Sequence, residues 1–236
     1  MTVSSLAALP GLQPEARAVF ADAVFTGAGL ACERGGRRVF HGLSFHVCAG
    51  EALVLVGRNG SGKSSLLRLM AGLSRPAQGA LTWNDGDIAD DREAHHGRLH
   101  LIGHQDAIKP ALTVRENLGF WARYRGGPGA PARIADALRA FALERLADLP
   151  ARYLSQGQRR RLSLCRLLAS PAQLWLLDEP RSGLDRAASE SLDAVLARHR
   201  AAGGMAVVVL HGDDHPPAAR VLDFDVSGTG ARTDPC

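Results

Sequence analysis

The sequence predicts an α/β fold in which a sheet-based core is interrupted by a helical subdomain. Two runs, ALVLVG (52–57) and LWLLDE (174–179), are apolar until their C-terminal ends. Parallel strands covered by helices on both faces have this pattern. Strand signals cluster before Gly103 and after Leu174, and helical signals dominate between these positions. This order indicates helices inserted between two groups of strands.

Short runs with strand character alternate with helical patterns along the chain. We predict strands at 28–32, 43–47, 51–57, 79–83, 99–103, 174–178, 205–210 and near 221–224. Helical patterns follow Gly62, Thr113, Pro131, Gln156 and Ala187. We expect one domain over residues 26–226, with a helical subdomain at about 106–170, an N-terminal extension at 1–25 and a flexible tail at 227–236.

Composition narrows the class of protein. The chain has 236 residues, of which 46% are apolar and 22% charged, and a net charge of +4. These values are ordinary for a globular protein that can bury a substantial core. No run approaches the roughly 18 apolar residues of a membrane-spanning helix, so we expect any membrane association to come through a partner. The mild positive charge suits an anionic ligand and does not require nucleic acid.

The first motif that carries chemistry is GRNGSGKSS at 57–65, which lies between an apolar run and an amphipathic pattern. Strand, glycine-rich loop and helix in this order are the context in which GxxxxGK[ST] predicts a phosphate-binding loop. Glycines let backbone N–H groups face phosphate oxygens, and the helix N-terminus adds its positive end. The predicted phosphate-binding residues are Gly57, Arg58, Asn59, Gly60, Ser61, Gly62, Lys63, Ser64 and Ser65.

Lys63 is one of only two lysines among the 28 lysine and arginine residues of the chain. A compact ammonium can contact β- and γ-phosphate oxygens in a confined loop, where a planar guanidinium is too broad. The next residue, Ser64, has the hydroxyl that such loops use to bind Mg²⁺. The motif therefore predicts a site for a nucleoside triphosphate and Mg²⁺.

Two further motifs complete the predicted site. Asp178 ends an apolar run, at the edge of an open α/β sheet where ligands gather, and can hold Mg²⁺ opposite Ser64. Glu179 is placed to orient or deprotonate an attacking water. In YLSQGQRRRLSLCRLLAS (153–170), Ser155 and Gly157 precede an amphipathic helix. A hydroxyl and exposed N–H groups at a helix N-terminus predict a second anion site.

Over residues 28–224 these motifs resemble those of the ATP-binding cassette family. GRNGSGKSS is similar to the family's Walker A motif, LWLLDE to Walker B, and LSQGQ to the signature LSGGQ, from which it departs only at Gln156. The resemblance implies a P-loop cassette with a RecA-like mixed core sheet, an antiparallel β subdomain and an inserted helical subdomain. It also implies ATP and Mg²⁺ as ligands. By the same resemblance Gln105 is the Q-loop glutamine, Asp185 belongs to the D-loop SGLD, and His211 is the switch histidine.

In this family the signature of one subunit faces the P-loop of another. The resemblance therefore implies a head-to-tail homodimer with two ATP molecules at the interface. Ser155, Gly157 and Gln158 would contact the partner's nucleotide, and Asp185 would lie at the same interface.

The resemblance also distributes the catalytic and metal-binding roles. Gln105 would sense the γ-phosphate and join the metal site. The residues to which catalysis is assigned are Glu179, His211 and Lys63, and the predicted metal ligands are Ser64, Gln105 and Asp178.

The sequence departs from the family where the adenine base is usually stacked on an aromatic residue before the P-loop. The corresponding position falls near Arg34, and a guanidinium plane can also stack on a base. Phe40 is the alternative, although we expect it to lie in the core.

The segment GHQDAIKPALTVRENLGFW (103–121) is similar to the ATP-binding subunit of cytochrome c maturation haem exporters. It lies beside the Q-loop, where cassettes of the family receive a coupling helix of a membrane subunit. The resemblance implies integral membrane permease partners and a peripheral position on the cytoplasmic face of the inner cell membrane. It further implies that ATP hydrolysis drives haem export or the release of a haem-carrying chaperone.

Three alternatives remain open. The chain can be the ATPase subunit of another importer or exporter, or a soluble cassette of the DNA-repair type. The second is disfavoured because there is no heptad run between Gln105 and Ser155 and no basic stripe with interleaved aromatic residues. A nucleotide sensor that does not hydrolyse ATP would be expected to lack Glu179.

Two polar clusters are predicted to face solvent. His95, His96, His100 and His104 follow the acidic run GDIADDRE, which favours a solvated loop over a ligand site. The run of three arginines at 159–161 points in three helix directions, so we predict a partly solvated face.

Overall fold

The computed structural model describes residues 23–124, 130–210 and 219–224. Its strands are β1 (Val24–Arg34), β2 (Arg37–Cys48), β3 (Ala52–Val56), β4 (Gln78–Trp83), β5 (Gly86–Asp87), β6 (Leu99–Ile102), β7 (Leu174–Asp178), β8 (Met205–Val209) and β9 (Arg220–Asp223). Its α-helices are α1 (Lys63–Met70), α2 (Arg92–Arg98), α3 (Val114–Tyr124), α4 (Ala130–Ala140), α5 (Gln156–Ala169) and α6 (Arg186–Ala201). Two 3₁₀ turns, Glu144–Leu146 and Ala151–Tyr153, precede α5.

Each predicted strand and helix falls on an observed element, and β5 and α2 are additional. β1 begins at Val24, shortly before the predicted start of the domain. The predicted tail at 227–236 lies outside the described residues. No helix within the described ranges is both long and apolar enough to cross a lipid bilayer.

The described strands form two sheets. The first has the order β2-β1-β4-β5 and pairs antiparallel, and the second has the order β6-β7-β8-β3-β9 and pairs in parallel. The helices α3, α4 and α5 lie in sequence between β6 and β7. A parallel core, an antiparallel β subdomain and a helical insert confirm the predicted fold class.

The register of the parallel sheet brings the ends of three strands to one level. Leu55 of β3 and Asp178 of β7 both lie opposite Val209 of β8. Parallel strands end at the same edge, so the loop after β3 and the carboxylate at the end of β7 face each other across β8.

Side chains of β3 enter two hydrophobic clusters because successive residues of a strand point to opposite faces. Leu53 and Leu55 pack with α1 and the antiparallel sheet. Ala52 and Val54 pack with the helical subdomain and α6. Burial on both faces explains why this strand is apolar throughout.

The start of α3 is fixed by a capping box. Thr113 Oγ1 accepts a hydrogen bond from Glu116 N (3.1 Å), and Glu116 Oε2 accepts one from Thr113 N (2.8 Å). The buried Asn117 donates from Nδ2 to the carbonyls of Lys109, Leu112 and Thr113, and its Oδ1 accepts from Lys109 N. These bonds hold segment 109–113 against α3.

The prediction of a solvated histidine loop was wrong for His95 and His96, which lie on α2, and for His100, which lies on β6, whereas His104 is exposed in the loop after β6. Asp91 caps α2, and His95 of this helix is 1% exposed and donates from Nε2 to the carbonyl of Met70 (2.8 Å). His100 is buried in β6 with its Nε2 against the carbonyl of Ser170. The sequence pattern is polar, but the aromatic rings of the antiparallel sheet cover His95.

Another buried histidine, His199 of α6, stacks on Trp175 of β7. Their ring centroids are 3.6 Å apart and their planes differ by 6°. His199 Nε2 donates to the carbonyl of Met205 (3.1 Å), and Gly204 leaves room for the ring, since a Cβ there would lie 2.1 Å from it. Burial lowers the pKa of His199 to about 4 because the imidazolium would lose its hydration.

We expect the protein to lose stability in mild acid because the unfolded chain protonates His199 first. The unfolded imidazole titrates near pH 6.5 and the folded one near 4. Between these values the unfolded state binds more protons, so the free energy of unfolding falls as the pH falls. From this residue the loss between pH 7 and pH 5 is about 2 kcal/mol.

Urea denaturation at the two pH values measures this loss. His199→Gln should reduce the difference between them. The same pH dependence in the variant and the parent would contradict the role of His199.

Candidate nucleotide-binding site

The loop between β3 and α1 has the backbone of a phosphate-binding turn. Gly57, Gly60 and Gly62 have φ angles of 131°, 82° and 112°, which glycine adopts without strain. A Cβ at Gly62 would lie 2.7 Å from Val39, and one at Gly57 would lie 2.9 Å from Phe224. Gly57 and Gly62 are therefore required for both backbone conformation and space.

The ammonium of Lys63 is held inside this loop. Its Nζ donates to the carbonyls of Gly57 (2.6 Å) and Arg58 (2.9 Å), and the residue is buried. These bonds use two of the three N–H donors of a lysine. The positive charge is thus already positioned where phosphate oxygens would approach.

The other residues of the loop fit a triphosphate and its cation by the chemistry of their donors. Arg58, Asn59 and Gly60 are exposed, as is Ser64 at the start of α1, and Ser65 is buried. The hydroxyl of Ser61 is buried and, within the described residues, has no hydrogen-bond partner. A bound phosphate oxygen would satisfy this hydroxyl.

The two carboxylates after the apolar run occupy different environments. Asp178 is 9% exposed at the end of β7. Glu179 follows with a φ of 46°, a strained value for a residue with a side chain that costs about 1–3 kcal/mol. Ser182 N donates to the Glu179 carbonyl (3.1 Å) and closes the turn. Such strain clusters at functional sites.

The signature motif caps α5. Ser155 Oγ accepts from Gln158 N (3.2 Å), and Gln158 Oε1 accepts from Ser155 N (2.8 Å). Because Ser155 Oγ serves as the acceptor, its own proton can be donated to a ligand in front of the helix. Ser155 is exposed, and a Cβ at Gly157 would lie 3.0 Å from the Gly183 carbonyl oxygen. The signature thus contacts the D-loop.

The remaining predicted residues lie on separate elements. Asp185 caps α6, where its Oδ1 accepts from Ala188 N (2.8 Å). Gln105 is exposed after β6, which neighbours β7 in the sheet. β8 ends at Val209, and His211 lies outside the described residues.

Arg34 is exposed at the end of β1, two residues after the buried Cys32. Burial raises the pKa of the Cys32 thiol, whereas the charge of Arg34 and a hydrogen bond with Ser65 lower it. These contacts place the Arg34 end of β1 beside α1. Phe40 is buried and packs edge-on against Phe224 with centroids 5.8 Å apart, which confirms its predicted place in the core.

Sequence reasoning missed Arg160, which contacts the turn at Asp178 and Glu179. The run at 159–161 was predicted to be a partly solvated face; Arg159 is exposed, but Arg160 is 6% exposed. The pattern contained a signal, because Arg160 precedes the buried Leu164 and Leu167 by four and seven residues, on the same face of α5.

An aromatic surface, formed by Phe120, Trp121 and Tyr124 of α3, lies beside the Q-loop. A cavity of about 220 Å³ is lined by Ala107, Ile108, Lys109, Leu112, Asn117, Phe120 and Trp121. Phe120 is 51% exposed and Tyr124 is 68% exposed. The Trp121 ring is covered by the Arg166 guanidinium, 3.8 Å from its centroid. Exposed aromatic side chains around a cavity are typical of a contact surface.

Comparison with known proteins identifies a family of ATP-binding proteins, in agreement with the phosphate-binding loop described above. Residues 40–182 match the model of the ABC transporter family. The chain is 56% identical over 205 residues to the cytochrome c biogenesis ATP-binding export protein CcmA of Rhodospirillum rubrum, covering 87% of each chain. The protein of the same name from Paramagnetospirillum magneticum is 54% identical over 206 residues, covering 86% of this chain and 95% of its own.

Solved structures agree on the fold. The structure of an ATP-binding subunit of an ABC transporter superposes with a TM-score of 0.74 at 27% identity, covering 80% of this chain and 79% of that one. An ABC transporter ATP-binding protein from Pyrococcus furiosus gives 0.76 at 19% identity, covering 86% and 98%. The second supports the fold alone.

The fold, the phosphate loop and the family match define an ATPase cassette, and the chain belongs to the ABC transporter family. The ATP-binding cassettes of this family hydrolyse ATP. Within the family, the chain groups with the CcmA proteins, to which it is similar over most of its length. The resemblance stated from the motifs is thereby confirmed.

We expect Gly62→Ala to weaken ATP binding at least tenfold. The methyl group would force a left-handed φ on alanine and would collide with Val39 and Phe40, so the loop would have to open. Titration with a fluorescent ATP analogue measures the change. Gly97→Ala is the matched control, since a Cβ there meets open space. Equal affinities in both variants would contradict the role of the turn.

Proposed function

We propose that this chain is the ATP-hydrolysing subunit of a membrane ABC complex for cytochrome c biogenesis, which exports haem or releases a haem-carrying chaperone. The observation that carries the proposal is the 56% identity to a cytochrome c biogenesis ATP-binding export protein over 87% of each chain. The phosphate loop, the two carboxylates and the exposed signature helix support hydrolysis as the work of this subunit.

In the proposed site, the N–H groups of loop 57–65 and the Lys63 ammonium bind the β- and γ-phosphates. Ser64 and Asp178 hold Mg²⁺, with Gln105 as a further ligand. When bound, Mg²⁺ neutralises negative charge on the β- and γ-phosphate oxygens. Lys63 is already buried, so its ammonium loses little further solvation when a phosphate binds. This small desolvation cost favours phosphate binding.

Two residues act on the attacking water and the terminal phosphate. Glu179 orients the water or accepts its proton, and the strained turn at this residue supports a functional role. His211 contacts the γ-phosphate within the same subunit.

The second half of each site comes from a second copy of the chain. Ser155 donates its hydroxyl proton and Gly157 its backbone N–H group to the nucleotide of the partner, and Gln158, whose own N–H donates to Ser155 Oγ, lies beside them. The exposed N-terminus of α5 and the acceptor role of Ser155 Oγ support this arrangement. Asp185, which caps the neighbouring α6, lies at the same interface.

We expect Glu179→Gln to accumulate as an ATP-bound dimer, because the glutamine keeps the shape of the site but accepts no proton. Gel filtration with ATP and Mg²⁺ measures the dimer. Lys63→Ala in the same background should remain monomeric because the phosphates lose their cation. A Glu179→Gln variant that stays monomeric with saturating ATP counts against the composite site.

The aromatic surface beside Gln105 receives the integral membrane permease. Phe120 and Tyr124 present apolar area, and Lys109 is among the residues that line the cavity. A short apolar helix of a membrane subunit suits this surface. The chain is then held at the cytoplasmic face of the inner membrane as a peripheral subunit.

In a host that depends on this chain, we expect deletion of its gene to abolish covalent c-type cytochromes on haem-stained gels. A plasmid copy should restore them, whereas Lys63→Ala should not. Phe120→Asp should also fail, because it places a charge on the permease surface. The control is Leu73→Asp, because Leu73 is 53% exposed and lies on a different surface. Unchanged cytochromes after deletion contradict the cytochrome role, and full rescue by Phe120→Asp contradicts the docking surface.

A further inference from the structure

Arg160 of α5 has a protein acceptor for each of its guanidinium N–H groups. Nε donates to the carbonyl of Pro180 (3.3 Å). Nη2 donates to the carbonyls of Asp178 (3.0 Å) and Glu179 (2.9 Å). Nη1 donates to the carbonyl of Gly103 (2.9 Å) and to Asp106 Oδ1 (3.2 Å). An arginine has five such donors, and all five are used.

These acceptors belong to two segments of the site. The carbonyls at 178–180 are the consecutive carbonyls of the turn after β7. Gly103 and Asp106 flank Gln105, the predicted Q-loop residue. The side chain of Arg160 is only 7% exposed, so its bonds form in a region where an unmade bond costs more than at the surface. One guanidinium therefore ties the Q-loop and the catalytic turn to α5.

The tied turn contains the strained residue of the site. Glu179 has a φ of 46°, and its own carbonyl and those on either side of it accept hydrogen bonds from Arg160. Strain of this kind persists only when the surroundings over-determine it. The guanidinium supplies that restraint.

We propose that Arg160 is a positioning residue for ATP hydrolysis, which acts through Glu179 and Gln105 without contacting the nucleotide. It sets the backbone from which Glu179 projects and fixes both sides of Gln105. A lysine has three donors on a single nitrogen atom. It lacks the planar fork with which the guanidinium of Arg160 reaches acceptors on two segments at once.

The position of Arg160 on α5 gives this restraint a second consequence. The N-terminus of the same helix carries Ser155, which in the proposed function contacts the nucleotide of the partner subunit. Arg160 lies little more than one helical turn further along. This consequence rests on the proposed dimer. A shift of the N-terminal end of α5 moves Arg160, and through its hydrogen bonds it reaches Glu179 and Gln105 of the same chain. The two nucleotide sites of the dimer are then coupled.

The test is steady-state ATP hydrolysis by the full-length variants Arg160→Gln and Arg160→Lys. We expect Arg160→Gln to lower kcat at least twentyfold and to change KM for ATP less than threefold, because the phosphate loop is untouched. We expect Arg160→Lys to remain at least tenfold slow, because charge without the fork does not hold both segments. The Hill coefficient for ATP should fall toward 1 in both variants.

Two controls separate positioning from general stability. Arg133→Gln removes a half-buried arginine of α4 that donates from Nε to the Ala169 carbonyl (3.3 Å), away from the turn, and should keep kcat within twofold. Asp106→Asn keeps an oxygen acceptor and should keep kcat within threefold. If thermal denaturation shows that Arg160→Gln does not fold, the kcat of the parent is compared with that of Arg160→Lys alone.

The outcomes distinguish this inference from the function on which it rests. A parent protein that hydrolyses ATP without cooperativity and never dimerises contradicts the composite site. A cooperative parent whose Arg160→Gln variant has normal kcat and a normal Hill coefficient overturns the role of Arg160 alone. So does full rescue by Arg160→Lys, or a defect confined to KM.

Discussion

The common edge of the parallel sheet is the constraint on which the site depends. Leu55, Asp178 and Val209 share one level in neighbouring strands, so the segments that follow β3 and β7 meet without any long connection. The backbone at this edge departs from ordinary geometry at the glycines of the phosphate loop and at Glu179. The buried strands behind these turns supply the rigidity that holds the strain.

Two buried cations then organise this edge, and both are satisfied largely by backbone carbonyls. Lys63 donates to two carbonyls of its own loop. Arg160 donates to four carbonyls and one carboxylate from distant segments. Uncompensated burial of either charge would be strongly unfavourable. The difference in reach follows from the chemistry, since an ammonium is a point charge and a guanidinium is a fork.

The helical subdomain carries the aromatic surface proposed for the permease on α3 and contacts the nucleotide edge through Arg160 of α5. Asn117 holds segment 109–113 against α3, and Arg160 holds Gly103 and Asp106 against α5. The stretch from 103 to 113 is therefore anchored at both ends by buried polar side chains. We expect a movement of α3 or α5 to reach this stretch through these hydrogen bonds, which are stronger in the protein interior than at its surface.

The sequence alone determined the class of fold, the order of its elements, and the motifs at 57–65, 155–158 and 174–179. Each of these depends on one local segment, where a strand, a turn and a helix start follow each other directly. The tertiary structure alone decided the burial of His95 and His199 and the role of Arg160. A polar residue is buried only if acceptors or rings from other elements cover it, and for Arg160 those acceptors lie as far as 57 residues away in the chain. Such partners are brought together by folding, so a local pattern such as the spacing of Arg160, Leu164 and Leu167 indicates burial but does not identify the acceptors.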